Sequence, residues 1–267
     1  MLLAIDIGNT NVTVGAFDGE RLVASWRVAT NARKMADEYT LELNGLLPMK
    51  GVPVESIRDV SMCSVVPPLT GVFVDVVRHL FNTEPLVVGA GTRTGVKVMY
   101  DNPRDVGADR VVDAAAAYQR YGGPAIVVDF GTATVFDAIA SDGTYLGGAI
   151  SPGLHIAAES LFLNTSQLRR VELQRPQSAI GKNTVHAMQS GLVFGYIGLV
   201  EAMVQRFKDE MDAPTVKVIA TGGLASLMSQ ETNVVDVVDE DLTLRGLQYV
   251  HALNAIAAGD ASPGGLS

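Results

Sequence analysis

Two short segments of this chain have nearly the same design, and each follows an apolar run. The first is Asp6-Ile7-Gly8-Asn9-Thr10, preceded by apolar residues 2–5. The second is Asp129-Phe130-Gly131-Thr132-Ala133-Thr134, preceded by apolar residues 125–128. Each segment places a carboxylate at the end of a predicted buried strand, followed by a glycine and small polar side chains. Because the design occurs once in each half of the chain, it predicts a duplicated fold.

The residue types in these segments suit a site for phosphate and a metal ion. A carboxylate at a strand end can hold Mg²⁺ directly or through water. Gly8 and Gly131 allow the backbone to approach an oxyanion closely. The neighbouring amides and hydroxyls (Asn9, Thr10, Asn11, Thr132 and Thr134) add neutral donors. Either segment alone is equally explained as an ordinary hairpin turn. Two such segments, each after a predicted buried strand and one in each half of the chain, favour a nucleotide that is bound between the two halves.

Composition narrows the class of protein. The 267 residues are 48% apolar and 18% charged, which permits a large core and suits two small domains or one large one. The net charge of −9 argues against nucleic acid and anionic membrane as partners. The single cysteine, Cys63, predicts a buried thiol in a reducing compartment. The first residues lack the pattern of a signal peptide, and the apolar stretch 191–200 is too short to span a membrane, so we expect a cytoplasmic protein.

The order of predicted elements is β-β-β-α-β-α-β, restarted near the midpoint, which indicates an α/β fold with two lobes. The predicted elements include a helix over 36–47 that stops at Pro48, strands over 60–65 and 85–88, a helix over 108–121, strands over 126–128, 135–139 and 145–150, a helix over 183–211 and a strand over 215–220. We expect an N-terminal lobe of residues 1–115, a C-terminal lobe of residues 116–258, and a flexible tail of residues 259–267.

Three further segments are candidates for substrate contacts. Gly107-Ala108-Asp109-Arg110 opens a helix whose dipole favours an ionised Asp109, which can accept a proton from a hydroxyl beside the positive Arg110. An ordinary acidic residue in a first helical turn explains Asp109 equally well. The glycine-rich segment 147–153 can bring backbone donors to a ligand or can simply form a tight turn. Thr221-Gly222-Gly223 suits packing against a flat group such as adenine, or a compact corner between strand and helix.

Taken together, these motifs resemble those of the type III pantothenate kinases, which belong to the actin-like, sugar kinase and Hsp70 fold group. The two phosphate motifs are matched at Asp6 to Thr10 and at Asp129 to Thr134, with Gly15 and Asp137 beyond them. The substrate motif is matched at Gly107 to Arg110, and segments 147–153 and 181–184 follow in the family's order. Thr221-Gly222-Gly223 matches the adenosine motif. Val135 stands where the family usually has threonine.

The resemblance implies two duplicated actin-like (ribonuclease H-like) lobes, with mixed sheets flanked by helices and a nucleotide cleft between the lobes. It implies ATP-dependent phosphorylation of pantothenate to 4′-phosphopantothenate, the first step of coenzyme A biosynthesis, by a homodimer. Asp109 would be the catalytic proton acceptor, Asp6 would lie at Mg²⁺, and Asp129 would bind a monovalent cation, K⁺ or NH₄⁺. The implied ATP-binding residues are Asp6, Ile7, Gly8, Asn9, Thr10, Asn11, Val12, Thr13, Thr132, Gly222 and Gly223. The implied pantothenate-binding residues are Tyr100, Gly107, Ala108, Asp109, Arg110 and Thr184.

Two alternatives remain open from the residues. One is a kinase or phosphatase of the same fold group that acts on a sugar, a polyphosphate or another small alcohol. The other is a catalytically silent regulator that keeps the fold, as relatives of this family described as accessory factors for gene expression do. The intact carboxylates Asp6, Asp109 and Asp129 argue against lost chemistry, and the negative charge argues against binding DNA.

Overall fold

The computed structural model describes residues 1–213 and 215–260, and the chain forms two compact units. The first unit contains Met1–Ala116 together with the helix that begins at Leu242, and the second contains Ala117–Asp241. The break therefore falls one residue after the expected boundary, but the last helix groups with the first unit and not with residues 116–258. Of the predicted flexible tail, residues 259–260 end that helix, and residues 261–267 lie outside the described residues.

The first unit is a mixed five-stranded sheet with helices. Its elements are β1 (Leu2–Ile7), β2 (Asn11–Asp18), β3 (Arg21–Ala29), α1 (Ala36–Met49), β4 (Asp59–Ser64), α2 (Pro67–Phe81), β5 (Leu86–Val87), most of α3 (Ala108–Tyr121) and the C-terminal α7 (Leu242–Asp260). The strand order is β3-β2-β1-β4-β5. The β1–β2 and β2–β3 pairs are antiparallel, whereas β4 runs parallel to both β1 and β5.

The second unit is also a mixed five-stranded sheet. Its elements are β6 (Ala125–Phe130), β7 (Ala133–Ile139), β8 (Tyr145–Pro152), α4 (Leu154–Leu163), α5 (Thr184–Met211), β9 (Lys217–Thr221), α6 (Ala225–Ser229) and β10 (Val237–Val238). The order β8-β7-β6-β9-β10 corresponds strand by strand to that of the first unit, with the same directions. This correspondence confirms the predicted α/β class and the duplication.

Apolar side chains explain why each central strand carries a turn at its carboxyl end. Ile5 and Ile7 of β1 pack on one face of the first sheet in a core that includes Phe73 of α2. The other face of this sheet packs against α3 and α7, and its core includes Ala4 and Leu247. The sides of β1 are thus covered, and only its end reaches a polar region. In the second unit, β6 likewise packs in a core with α5 and α6.

Several boundaries differ from those that the sequence predicts. The first helix continues past Pro48 to Met49, because a proline in the last helical turn removes only one backbone hydrogen bond, close to the end of the helix. The strand predicted over 215–220 begins at Lys217 and ends at Thr221. The long α5 has the length and mean hydropathy of a membrane span, the one such helix in the described part of the chain. It is a core helix of the second unit, as predicted for 191–200.

Candidate active site

The first turn joins β1 to β2 and is closed by its own backbone. Gly8 N donates to Asn11 O at 3.0 Å, and a Cβ at Gly8 would lie 3.0 Å from that oxygen, so glycine suits the position. The side chains of Ile7 and Val12 are fully buried. In contrast, the turn residues Asn9, Thr10 and Asn11 are exposed. Within the predicted phosphate-binding run, Ile7 and Val12 therefore offer only backbone groups to a ligand.

Asp6 is the last residue but one of β1 and lies beside Cys63, its register partner on the parallel strand β4. The Cys63 thiol donates a hydrogen bond from Sγ to Asp6 Oδ1 at 3.4 Å. The pKa of Asp6 is raised to about 7, chiefly by burial and to a smaller extent by the charge on Asp109, while the Cys63 hydrogen bond acts in the opposite direction. An ionised Asp6 at neutral pH therefore lacks adequate compensation from the protein, which is the situation that a bound cation corrects.

Asp109 lies in the first turn of α3, in the same unit as Asp6. Its Oδ1 accepts a hydrogen bond of 2.7 Å from the backbone N–H of Arg110. Burial raises the pKa of Asp109, whereas this hydrogen bond and the Arg110 charge lower it. A Cβ at Gly107 would lie only 2.6 Å from Asp109 Oδ1, so the glycine leaves the space that the carboxylate occupies.

The second turn, between β6 and β7, is built in the same way. Gly131 N donates to Ala133 O at 3.1 Å, as Gly8 does in the first turn. The Asp129 carboxylate lies against glycines, since a Cβ would be 2.2 Å from its Oδ1 at Gly222 and 3.2 Å from its Oδ2 at Gly131. Gly222 also has a φ of +88°, which favours glycine. Thr132 is exposed at the tip of this turn.

The residues present fit the cations that the family resemblance implies. Within residues 1–213 and 215–260, no three His, Cys, Asp or Glu side chains converge as a metal cluster. Mg²⁺ nevertheless suits a single hard carboxylate such as Asp6, because it keeps several waters and binds substrate phosphates. At Asp129, glycines 131 and 222 leave room for the carboxylate itself, because a Cβ at either position would lie within 3.2 Å of its oxygens. Oxygen ligands of this kind suit a monovalent cation.

The remaining predicted residues lie in both units. Tyr100 is 38% exposed on the long connection between β5 and α3. Thr184 begins α5 in the second unit and is exposed, and the Asn183 side chain before it caps the helix by accepting a bond from His186 N at 2.9 Å. Gly223 is exposed directly after Gly222. Thr134, considered as a ligand donor, is instead buried and hydrogen-bonds the Tyr196 side chain.

Comparison with known proteins places this arrangement in a family. The type III pantothenate kinase profile matches residues 2–206. The chain belongs to the type III pantothenate kinases. A type III pantothenate kinase of Dehalococcoides mccartyi is 51% identical over 253 residues, which cover 95% of this chain and 98% of the relative. The predicted resemblance is thereby confirmed, together with the activity of the family: ATP-dependent phosphorylation of pantothenate in coenzyme A biosynthesis.

Solved structures show the fold of this pantothenate kinase. A putative Baf family transcriptional activator from Campylobacter jejuni superposes with a TM-score of 0.61 at 18% identity, covering 95% of this chain and 99% of that chain. An inorganic polyphosphate/ATP-glucomannokinase from Arthrobacter superposes with a TM-score of 0.50 at 15% identity, covering 95% and 98%. At such identities the similarity concerns the fold alone, and it confirms the actin-like architecture shared with sugar kinases.

Sequence reasoning missed Asp113 and the contact of Cys63 with Asp6. Asp113, one helical turn after Asp109, is 4% exposed, and its charge contributes to raising the pKa of the buried Cys63 thiol. Burial is the main cause of that rise, followed by the charges of Asp6 and Asp109. The spacing of Asp109 and Asp113 on a helix indicates a shared face. Nothing local in the sequence indicates that Cys63 bonds to Asp6.

Proposed function

We propose that this enzyme transfers the γ-phosphoryl group of ATP to the primary alcohol of pantothenate with Asp109 as the general base. The observation that carries the proposal is the pair of carboxylates in the first unit, Asp6 and Asp109, close enough for one charge to raise the pKa of the other. Two carboxylates in distinct surroundings can have two roles, and here Asp6 would bind a cation and Asp109 would accept a proton. Gly107 supports the role of Asp109, because a side chain at residue 107 would collide with the Asp109 carboxylate.

Asp109 would act by accepting a hydrogen bond, and then the proton, from the attacking hydroxyl. Phosphoryl transfer passes through a loose transition state, so the hydroxyl proton need not leave early and a carboxylate is a sufficient base. Burial raises the pKa of Asp109, which moves it toward the working pH and improves proton acceptance. Backbone hydrogen bonds from Arg110 and from Asp109 itself hold the carboxylate in a fixed orientation for the substrate.

The remaining residues would position the two substrates. We propose that residues 6–13, Thr132, Gly222 and Gly223 contact ATP. Bound Mg²⁺ at Asp6 and K⁺ or NH₄⁺ at Asp129 would neutralise phosphate charge. Tyr100 and the segment 107–110 would bind pantothenate together with Thr184, with the Arg110 guanidinium available to an anionic group of the substrate.

An ADP-release assay tests this proposal against the alternatives. Purified enzyme is given ATP and Mg²⁺ with pantothenate or with a panel of sugars, each with and without K⁺. We expect ADP release that requires both pantothenate and the monovalent cation. Release with a sugar instead would indicate another kinase of this fold. No release under any condition, from a protein that is folded, would favour a regulator without catalytic activity.

We propose in addition that the enzyme is a homodimer that associates through α5. Gly191, Gly195 and Gly198 are exposed on this helix, and a Cβ at any of them would meet no atom within 4 Å. Small residues three and four positions apart allow close packing of two helices. The exposed Thr184 stands at the start of the same helix, so a second subunit there would lie beside a proposed substrate residue.

A single substitution tests this interface. Gly195→Leu adds a side chain into empty space within one subunit, so the fold should persist. If α5 mediates dimerisation, sedimentation should show a dimer for the wild type and a monomer for the variant, whereas Gly45→Leu on α1, which also has open space, should remain dimeric. A monomeric wild-type enzyme, or a dimeric Gly195→Leu variant, would contradict the proposal.

We place the enzyme in the cytoplasm, where ATP is abundant and a free thiol persists. Cys63 is buried and unpaired in any disulfide, as that environment permits. Fractionation of cells that carry a tagged copy would test the location, and recovery of the protein in the membrane or extracellular fraction would contradict it.

A further inference from the structure

The turn that joins β1 to β2 is held by a residue outside every motif. Thr30 directly follows β3, and its hydroxyl donates to Gly8 O at 2.6 Å. Its backbone N–H donates to Thr10 O at 2.9 Å. Thr30 thus contacts both sides of the turn formed by residues 8–11, here called the phosphate turn. The Gly8 N–H already bonds Asn11 O, so both backbone groups of Gly8 are fixed.

The second unit shows how an equivalent turn is held without such a side chain. There the strand pairs end at Phe130 and Thr134, which leaves a turn of three residues, 131–133. In the first unit the pairs end at Ile7 and Val12, which leaves four residues. The residue after β8, Gly153, donates its N–H to Thr132 O at 3.1 Å, as Thr30 does to Thr10. A Cβ at Gly153 would lie 2.1 Å from Thr132 O, so the contact is backbone against backbone.

The comparison isolates what the Thr30 side chain adds. Both units share the bond from the backbone N–H after the third strand. In the first unit the residue at this position also donates a hydroxyl bond, to the carbonyl of Gly8 in the phosphate turn, whereas the equivalent Gly153 has no side chain to donate one. An extra residue in a turn adds backbone freedom, and fixing that residue costs conformational entropy. A ligand that needs a fixed turn must supply that free energy unless the protein has already done so.

We propose that Thr30 is a positioning residue for ATP: its hydroxyl holds the phosphate turn in the conformation that receives the phosphates. The inference rests on the proposed role of residues 6–13 in binding ATP. It assigns no contact between Thr30 and the nucleotide. Loss of the hydroxyl should therefore weaken ATP binding specifically, while pantothenate recognition by the segment 107–110 is retained.

The test measures binding directly and kinetics separately. Thr30→Val removes the hydroxyl but keeps the branched shape, which suits the end of a strand. We expect calorimetry with a non-hydrolysable ATP analogue to show binding about 3- to 10-fold weaker, the range for one neutral hydrogen bond. The KM for ATP should rise by a similar factor, and the KM for pantothenate should stay within about twofold of the wild type.

Matched variants separate positioning from a general loss of stability. Thr30→Ser keeps the hydroxyl and should bind the ATP analogue like the wild type. Thr30→Ala differs from Thr30→Ser only by the missing hydroxyl oxygen and should bind the analogue as weakly as Thr30→Val. Ser56→Ala removes another hydroxyl bond of 2.6 Å to a backbone carbonyl in the same unit and should leave nucleotide binding unchanged.

Two outcomes would overturn the inference. One is unchanged analogue affinity in Thr30→Val and Thr30→Ala. The other is an equal rise in both KM values that serine does not reverse, which would indicate a purely structural role. If the wild-type enzyme itself bound no ATP analogue, the proposed function would fail and the inference would fail with it.

Discussion

Replacement of Asp6 by asparagine should stabilise the first unit while it removes the carboxylate proposed to meet Mg²⁺. The pKa of Asp6 rises from an ordinary value of 3.8 to about 7, chiefly because of burial. A carboxyl group whose pKa is higher in the folded state favours folding in its protonated form. Its ionisation therefore costs stability as the pH rises from about 4 to about 7, and the full cost remains above that range.

The magnitude follows from the pKa values. A rise from 3.8 to about 7 corresponds to about 4 kcal/mol at alkaline pH, at about 1.4 kcal/mol for each tenfold change in the acid constant. We expect less in practice, about 1–3 kcal/mol, because the protein relaxes and a buried amide carries its own cost. Between about pH 5 and about pH 8, the stability gap between Asp6→Asn and the wild type should widen by about 2 kcal/mol.

Urea denaturation in EDTA, followed by fluorescence, provides the assay. The single tryptophan, Trp26, is 6% exposed in the core of the first unit, so its emission reports on the unit that contains Asp6. Asp18→Asn, at the exposed end of β2, is the matched control, because it removes an acid of the same unit that lies outside the core. A gap for Asp6→Asn that stays constant or narrows as the pH rises would refute the reasoning.

Three further predictions concern the carboxylates and the glycines beside them. Gly107→Ala should lower kcat by about 10- to 100-fold with little change in unfolding free energy, because the new Cβ would lie 2.6 Å from Oδ1 of Asp109, the proposed base, and would displace it; wild-type kcat in this variant would contradict the assignment. Gly51→Ala should cost about 1 kcal/mol of stability, and Gly222→Ala should destabilise the second unit by more than that. Both glycines have a positive φ, but only at Gly222 would the new Cβ also collide with another residue, 2.2 Å from Asp129 Oδ1. Equal losses of stability in thermal melts would refute this. The pH profile of kcat/KM should fall on the acid side at a pH above the ordinary aspartate pKa, since burial raises the pKa of Asp109 and only its ionised form accepts a proton; full activity at about pH 4 would count against it.

The sequence predicted the duplicated turns because their cause is local. An apolar run followed by Asp-x-Gly and small polar residues specifies a buried strand and the turn after it, and both sheets confirm this. The helix that opens at Ala108 was likewise predicted from its own pattern. In these segments, the residues that determine the structure are close together in the sequence.

The parts that could not be predicted depend on contacts between distant residues. Cys63 meets Asp6 only because β4 runs parallel to β1, with these two residues as register partners. The grouping of α7 with the first unit depends on its packing against β1 and β4, which no periodicity in residues 242–258 indicates. Thr30 reaches the phosphate turn across 22 positions of sequence, and its neighbours form no motif.

The role of Asp109 is tested most directly by comparing turnover and nucleotide binding in Asp109→Asn. With ATP, Mg²⁺, K⁺ and pantothenate present, we expect ADP release to fall by at least about 100-fold, while calorimetry shows that the variant binds an ATP analogue like the wild type. Asp105→Asn, an exposed acid shortly before the same helix, should retain activity. Turnover of Asp109→Asn within a few fold of the wild type would contradict the assignment of this residue as the base.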